Sequence, residues 1–298
     1  GVSFAWTGPA NFVSNLQNPF VGKPGLYTLV ITNPVNGCTG TATVTVTQNI
    51  TPPNVSASGG VKTCSSPLVV LSGNSTTPAV SYSWTGPNGF TSIQQNPSVG
   101  FVGTYVLKVT NPVNGCTATA SASVSQNITP PSVSATSGTI TCTNPLAQIT
   151  TTSSPQGLTF SWTGPNNFSS NLKNPLVGVS GNYTVIATNP INGCTNTGAV
   201  YVNENVTAPF AYAGEDKSLN CYFTSLTINA SFSSTGSNFS YLWTTWDGNI
   251  ISGANTLYPR VDLEGNYTLK VTNTQNGCVD IDSMVVIQSP PVTANISQ

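Results

Sequence analysis

The chain has 298 residues, and only 5% of them are charged: seven Lys plus Arg, eight Asp plus Glu, and no His. An ordinary soluble domain carries about 25% charged residues. Without His there is no Ser-His-Asp triad, no His-liganded zinc and no haem histidine. Seven scattered cations make no basic stripe, so nucleic acid is not an expected partner.

Solubility comes from neutral polar residues instead: 43 Thr, 35 Ser and 33 Asn, together 111 of 298. Residues 1–203 hold four Lys and no acid, and all eight acids lie between Glu204 and Asp282. Paired-carboxylate catalysis and a carboxylate-built calcium site are therefore excluded from two-thirds of the chain. We expect no enzyme, no metal and no cofactor. The 38% hydrophobic content, with 11 Phe, 10 Tyr and 5 Trp, is enough for small cores.

The chain repeats itself. Trp6-Thr7-Gly8-Pro9 returns as Trp84-Thr85-Gly86-Pro87 and Trp162-Thr163-Gly164-Pro165. Asn36-Gly37-Cys38 returns as Asn114-Gly115-Cys116, Asn192-Gly193-Cys194 and, in a divergent fourth repeat with Trp243 and Tyr267, Asn276-Gly277-Cys278. Prolines at 52–53, 130–131, 209 and 290–291 punctuate the repeats. The domain map is an incomplete repeat at 1–52, complete repeats at 53–130 and 131–208, a divergent repeat at 209–290, and the opening of another at 291–298. Both ends read as cuts through a longer array. The chain shows no signal peptide, transmembrane run or sorting tail, so membrane insertion of this segment is not expected.

Each repeat reads as strand and turn. Leu68–Leu71 and Val80–Trp84 are predicted strands. Val106–Thr110 alternates apolar and polar, Asn111–Gly115 turns with Asn-Gly chemistry, and Thr117–Ser125 alternates again. About seven short strands in about 78 residues predict an all-β fold, a linear array of immunoglobulin-like β-sandwiches. The repeated Trp is assigned to the core, and Tyr105 to a tyrosine corner.

The cysteines invite a pairing. Each complete repeat contains two, giving the expected bridges Cys64–Cys116, Cys142–Cys194 and Cys221–Cys278, with the partner of Cys38 outside the chain. A bridge closing about 50 residues would add roughly 4 kcal/mol in the chain-entropy model. Such bridges imply an oxidising compartment. A bridge between different repeats would contradict this map of separately stapled modules and the mechanical role drawn from it. Apolar Ile50, Ile128 and Val206 beside the junction prolines predict stiff joints.

Three side-chain sets have more than one reading. Phe12, Phe90 and Phe168, six residues after each Trp, stack on sugars or pack over the end of the sandwich; we expect packing. Thr41, Thr43, Thr45 and Thr47 share a strand face, which suits a surface binder or a solvent-facing strand kept soluble without charge; we expect the latter. Asp247, Asp262, Glu264, Asp280 and Asp282 are read as surface acids rather than a calcium site.

The pattern Trp84-Thr-Gly-Pro-Asn-Gly-Phe90, Gly103-Thr-Tyr-Val-Leu-Lys-Val-Thr110 and Asn114-Gly-Cys116 resembles the tandem immunoglobulin-like and PKD-like repeats of giant Bacteroidota surface proteins. So does Trp243-Thr-Thr-Trp-Asp-Gly248 with Gly265-Asn-Tyr-Thr-Leu-Lys-Val-Thr-Asn273. The resemblance implies type IX-like export, an extracellular or cell-surface location and a role in adhesion, gliding or filament building. It also implies O-glycosylation at Ser283, within Asp282-Ser283-Met284. The expected function is the stalk or shaft of an adhesin or surface filament. Its partners would be other molecules of itself or neighbouring repeats, and a glycan or cell surface. A carbohydrate-binding module and a strand-exchanging polymer subunit are the alternatives.

Overall fold

In the computed structural model, which describes residues 1–290, the chain is a tandem succession of all-β, immunoglobulin-like sandwiches. The expected opening of a further repeat at 291–298 lies outside the described residues. Contacts divide the chain into two compact units, Gly1–Ile128 and the part from Thr129 onward.

In the first unit, β1 (Ser3–Gly8), β2 (Phe12–Ser14), β3 (Gly25–Thr32) and β4 (Thr39–Val46) form one sheet in the order β2-β1-β3-β4. The next repeat adds β5 (Ser56–Ser58), β6 (Gly60–Thr63), β7 (Val69–Val70), β8 (Ser72–Asn74), β9 (Ser81–Gly86), β10 (Phe90–Ser92), β11 (Ser98–Val99), β12 (Gly103–Thr110) and β13 (Thr117–Asn127). Here a five-stranded sheet, β10-β9-β12-β13-β6, is completed by the short pairs β11-β7 and β5-β8.

The second unit holds two full sandwiches. One has β14 (Ser132–Ser137), β15 (Thr139–Thr141), β16 (Ala147–Ser154), β17 (Thr159–Gly164), β18 (Phe168–Ser170), β19 (Leu176–Val177), β20 (Gly181–Thr188) and β21 (Thr195–Asn205). Its sheets run β15-β21-β20-β17-β18 and β14-β16-β19. The other has β22 (Lys217–Leu219), β23 (Leu226–Thr227), β24 (Phe239–Thr245), β25 (Ile250–Ser252), β26 (Arg260–Val261), β27 (Gly265–Asn273) and β28 (Val279–Gln288), in sheets β22-β28-β27-β24 and β23-β26-β25.

Each full sandwich has its own core. Trp84, Tyr105 and Leu107 anchor one, Trp162, Tyr183 and Ile149 the next, and Trp243, Tyr267 and Leu269 the third. Period-2 alternation explains the partition: along β12 one side of the pleat, Tyr105, Leu107 and Val109, is buried, while Thr104, Val106 and Lys108 face outward. On β13 the neutral Thr119, Ser121, Ser123 and Ser125 take the solvent side. Thr41, Thr43 and Thr45 on β4 are likewise exposed.

The Trp-Thr-Gly-Pro motif is explained by the tyrosine corner. Tyr105 Oη donates to the Phe101 carbonyl at 2.8 Å, as Tyr27 does to Lys23 at 2.7 Å, Tyr183 to Val179 at 2.8 Å and Tyr267 to Leu263 at 2.6 Å. The ring then lies flat on the glycine of the motif: a Cβ on Gly86 would sit 2.3 Å from Tyr105 Cδ1. Pro87 covers Gly103, whose φ of +137° leaves no room for a side chain, since its Cβ would meet Pro87 Cγ at 2.7 Å. Phe90 closes the corner edge-on to Tyr105, with ring centroids 5.4 Å apart; Phe12–Tyr27 at 5.3 Å and Phe168–Tyr183 at 5.2 Å repeat the contact. The repeated phenylalanines thus pack against the fold's own tyrosines.

Two outcomes follow from the corner. Gly86→Ala overpacks it and is expected to cost about 1–3 kcal/mol, read as faster hydrogen exchange at the Leu107 and Val109 amides with the third and fourth repeats unchanged. Burial also raises the hydroxyls of Tyr105, Tyr183 and Tyr267 above the ordinary tyrosine value, against the opposing effect of their backbone bonds. The unfolded chain therefore releases these protons first, near pH 10. Their contribution to stability is complete below that pH and is lost as pH rises through the raised folded values. Alkaline unfolding followed by tyrosinate absorbance should show this decline, and Tyr105→Phe should remove it from the second repeat alone.

Candidate functional site

The site that unites the motifs is the joint between successive repeats. Its geometry starts from a parallel pairing. The short strand β15 runs parallel to the end of β21, with Thr139, Ile140 and Thr141 opposite Asn203, Glu204 and Asn205. β6 does the same against Val124–Asn127 of β13, and β22 against Val286–Gln288 of β28. The front cysteine follows this strand directly. Cys142 therefore lies beside the exit of its own repeat, its Sγ 4.0 Å from the Val206 carbonyl, and Cys64 Sγ lies 3.9 Å from that of Ile128.

Cys194 sits at the opposite end. It precedes β21, whose 11 residues span roughly 35 Å at about 3.3 Å per residue. A disulfide needs Cα atoms within about 7 Å, so the expected Cys142–Cys194 bridge is geometrically impossible. Cys142 instead bonds Cys278 of the following repeat, with Cα atoms 5.0 Å apart and a sequence separation of 136. The expected pairs Cys64–Cys116 and Cys221–Cys278 fail for the same reason: Cys116 and Cys221 are free thiols, as is Cys38. Cys64 and Cys194 are disulfide-bonded, neither to the residue expected. The bridge thus crosses repeats. Each repeat is closed by its noncovalent core, and the covalent tie joins one repeat to the next.

Hydrogen bonds seat the joint around that tie. Asn273 closes the hairpin loop, its N–H donating to the Cys278 carbonyl at 2.8 Å and its carbonyl accepting the Gly277 N–H at 2.7 Å. Asn276 Oδ1 accepts the Cys278 N–H at 2.9 Å. Its Nδ2 reaches back to the linker, donating to Asn205 Oδ1 at 2.9 Å and to the Thr207 carbonyl at 3.0 Å. The Asn276 side chain is 1% exposed, so its amide is both buried and satisfied. Gly277 is required as well: at φ +71° its absent Cβ would lie 2.1 Å from Thr143 Cγ2.

The same clasp recurs. Asn114 Nδ2 donates to Asn49 Oδ1 and the Thr51 carbonyl, both at 3.0 Å, and Asn192 Nδ2 to the Thr129 carbonyl at 3.0 Å. Sequence reasoning read Asn-Gly-Cys as turn chemistry and missed this second role. The available signal was that Asn49, Asn127 and Asn205 in the linkers recur every 78 residues, as Asn36, Asn114 and Asn192 do in the turns.

The fourth repeat's acids have structural partners. Asp280 Oδ2 accepts the Ala211 N–H and Asp282 Oδ2 the Ala213 N–H, each at 2.8 Å, while Asp216 Oδ1 accepts the Val285 N–H at 2.8 Å. These carboxylates hold the segment at 211–213 against β28, where no backbone ladder forms. Asp247 Oδ1 accepts the Asn266 N–H at 2.8 Å, and Asp262 Oδ1 accepts from Asn249 Nδ2 at 2.7 Å. Among the described residues no group of acids or cysteines is arranged to hold a metal, and no helix is long and apolar enough to cross a membrane.

No family model matches the chain, and no curated protein sequence matches it. Among solved structures, the chain is similar to Sidekick-1 immunoglobulin domains 1–5 at 16% identity, covering 97% of this chain and 74% of that one with a TM-score of 0.31. An I-band fragment of titin aligns at 13% identity over 81% of this chain and 100% of its own, with a TM-score of 0.37. Three N-terminal domains of the bacteriophage RB49 Highly Immunogenic Outer Capsid protein align at 8% identity over 80% and 99%, with a TM-score of 0.33.

Removing the clasp should loosen the tie. Asn276→Ala leaves Asn205 Oδ1 and the Thr207 carbonyl without their donor, a cost of about 1–3 kcal/mol. The Cys142–Cys278 bond should then be reduced by dithiothreitol roughly tenfold faster or more, measured by alkylation and peptide mapping, while the repeat cores keep their hydrogen-exchange protection.

Proposed function

We propose that this segment is the structural shaft of an extracellular adhesin or surface filament, with no catalysis of its own. The reading does not rest on separately stapled modules, which the Cys142–Cys278 disulfide overturns; it is rebuilt on that inter-repeat disulfide itself. Force applied at residues 131 and 290 passes along 131–142, through the sulfur bridge, and out along 278–290. Residues 143–277, which include most of two sandwiches, stand outside the covalent load path. A protein that only needed folded modules would gain most from bridges inside each module; a bridge between modules limits extension instead.

The remaining features fit the same use. Disulfides persist in oxidising compartments, which supports a surface or extracellular location. A nearly uncharged exterior lets neighbouring shafts lie close without strong repulsion. The resemblance to Bacteroidota surface repeats adds type IX-like export and attachment of a glycan at Ser283. That residue is exposed on β28, its hydroxyl 3.0 Å from Thr268 Oγ1, while Met284 beside it is buried.

Single-molecule stretching tests the reading. With handles at residues 131 and 290, the oxidised chain should refuse to lengthen past the short path through the bridge. Reduction should release the 136-residue separation, roughly 450 Å of extra contour at about 3.3–3.6 Å per residue. Equal contour lengths before and after reduction would remove the mechanical role.

A further inference from the structure

The third repeat departs from the second at three positions that reshape one end of its sandwich. Where the second repeat has Asn54, Gly73 and Gln95, the third has Ser132, Thr151 and Lys173, each 78 residues further on. In the second repeat these residues tie and fill the end. Asn54 Oδ1 accepts the N–H groups of Thr76 and Thr77 at 2.8 and 3.2 Å and so holds the loop before β9. Gln95 Nε2 donates to the Gly73 carbonyl at 2.8 Å, and the Gln95 carbonyl accepts the Trp84 indole N–H at 3.2 Å. The Trp243 indole N–H of the fourth repeat likewise has a carbonyl, that of Thr256 at 3.0 Å.

In the third repeat these ties are gone. The Ser132 hydroxyl donates to the Ser154 carbonyl at 3.4 Å and reaches no amide of the loop at 154–158. A Cβ on Gly73 would sit 2.9 Å from the Gln95 carbonyl, so a threonine at the matching position puts its side chain against that carbonyl. Thr151 Oγ1 indeed donates to the Lys173 carbonyl at 2.6 Å. The indole thereby loses its acceptor: Trp162 Nε1 is buried without a partner among the described residues. The Lys173 side chain is exposed and does not repeat the inward bond of Gln95.

At this end lies a pocket of about 530 Å³ lined by Ser153, Gln156, Gly157, Leu158, Phe160 and Lys173, a size in the range of small-molecule sites, roughly 300–1,000 Å³. Ser153 on β16 and Phe160 on β17 belong to opposite sheets and share the inward faces of Thr151 and Trp162, two residues away on the same strands. The layer beneath the pocket therefore holds the unpartnered indole. Phe160 and Leu158 give the pocket an apolar wall, and Gly157 at φ +80° turns the loop without adding a side chain to the mouth. Among the described residues the side chains of Ser153, Gln156 and Lys173 have no hydrogen-bond or ionic partner. Lys173 is the one charged group of the lining, and residues 1–203 contain no acid to neutralise it.

We infer that this pocket of the third repeat binds a hexuronate sugar. One cation, one amide, one hydroxyl and an apolar wall match a ring that carries a single carboxylate, several hydroxyls and a C–H face. The Lys173 ammonium donates to the carboxylate in a charge-assisted bond. Gln156 and Ser153 exchange hydrogen bonds with ring hydroxyls, and the C–H face lies against Phe160 and Leu158. A phosphate monoester fits less well, because its second charge finds no second cation. The site gives the shaft a glycan contact in one repeat, at the positions where that repeat departs from its neighbour.

The site does not rest on the shaft reading, and a titration can fail where stretching succeeds. The full chain, with its native bridges intact, is titrated with glucuronate, galacturonate, glucose and acetate while its backbone and indole N–H resonances are followed. Trp162→Phe identifies the Trp162 indole signal. A uronate should shift that signal together with the amides of Gln156, Gly157 and Phe160, and should bind at least tenfold more tightly than glucose or acetate. Lys173→Gln, at an exposed position, should weaken uronate binding about tenfold, and Gln156→Ala several-fold, with the fold unchanged by circular dichroism. Lys108→Gln, on the outer face of β12 in the second repeat, should leave it unaltered. Equal affinity for acetate or glucose, shifts confined to other residues, or no saturation by either uronate overturns the site.

Discussion

The short parallel pairing between the front strand of each sandwich and the end of its last strand governs the rest of the structure. It is only three or four residues long, as at Thr139–Thr141 on β21, yet it carries the front cysteine to the exit of the repeat. The Asn-Gly-Cys hairpin is held at the entrance by the full length of the same last strand. The two sulfurs of one repeat are thereby kept apart. The sulfur of one repeat and that of the next meet at the linker between them.

This arrangement separates two tasks that a small extracellular domain usually gives to one bridge. Holding the fold falls to the Trp and tyrosine-corner core, where Trp84, Trp162, Trp243 and the four corner tyrosines are essentially inaccessible to solvent, while Trp6 of the first repeat is half-buried. Holding the neighbours together falls to the disulfide and the asparagine clasp. A buried amide that uses both its oxygen and its nitrogen, as Asn276 does, fixes the hairpin against the linker with directional bonds. The disulfide then acts on a joint that is already seated. Near-neutral composition suits such a joint, because hydroxyl and amide groups satisfy each other without the desolvation cost of buried charge.

The fourth repeat shows the same design with different parts. Ahead of β22, its segment at 211–213 has no ladder to β28, and Asp280 and Asp282 accept its backbone N–H groups instead, while Asp216 accepts the Val285 N–H. Three of the acids at this end of the chain thereby hold its backbone together. Its corner is altered too: Tyr267 Oη accepts the Asn249 N–H at 2.9 Å while donating to Leu263. The longer loop between Trp243 and Tyr267 is tied to the corner it lengthens.

Much of the fold was readable from residues alone. The 78-residue recurrence of Trp, Tyr and Asn-Gly-Cys, with period-2 alternation between them, dictated β-sandwiches, a Trp-centred core and a tyrosine corner, because those patterns express local geometry and burial on one face of a strand. The packing of Phe90 on Tyr105 was also legible, since the two keep their spacing in three repeats. The cysteine pairing was not. Two cysteines per repeat are equally consistent with bridges within repeats and between them, and sequence separation does not say which end of a strand a residue occupies. Only the parallel register of β15 on β21 and of β22 on β28 settled that. It is a long-range backbone pairing of a few residues with no strong periodic signal, and so it was decided by tertiary structure alone.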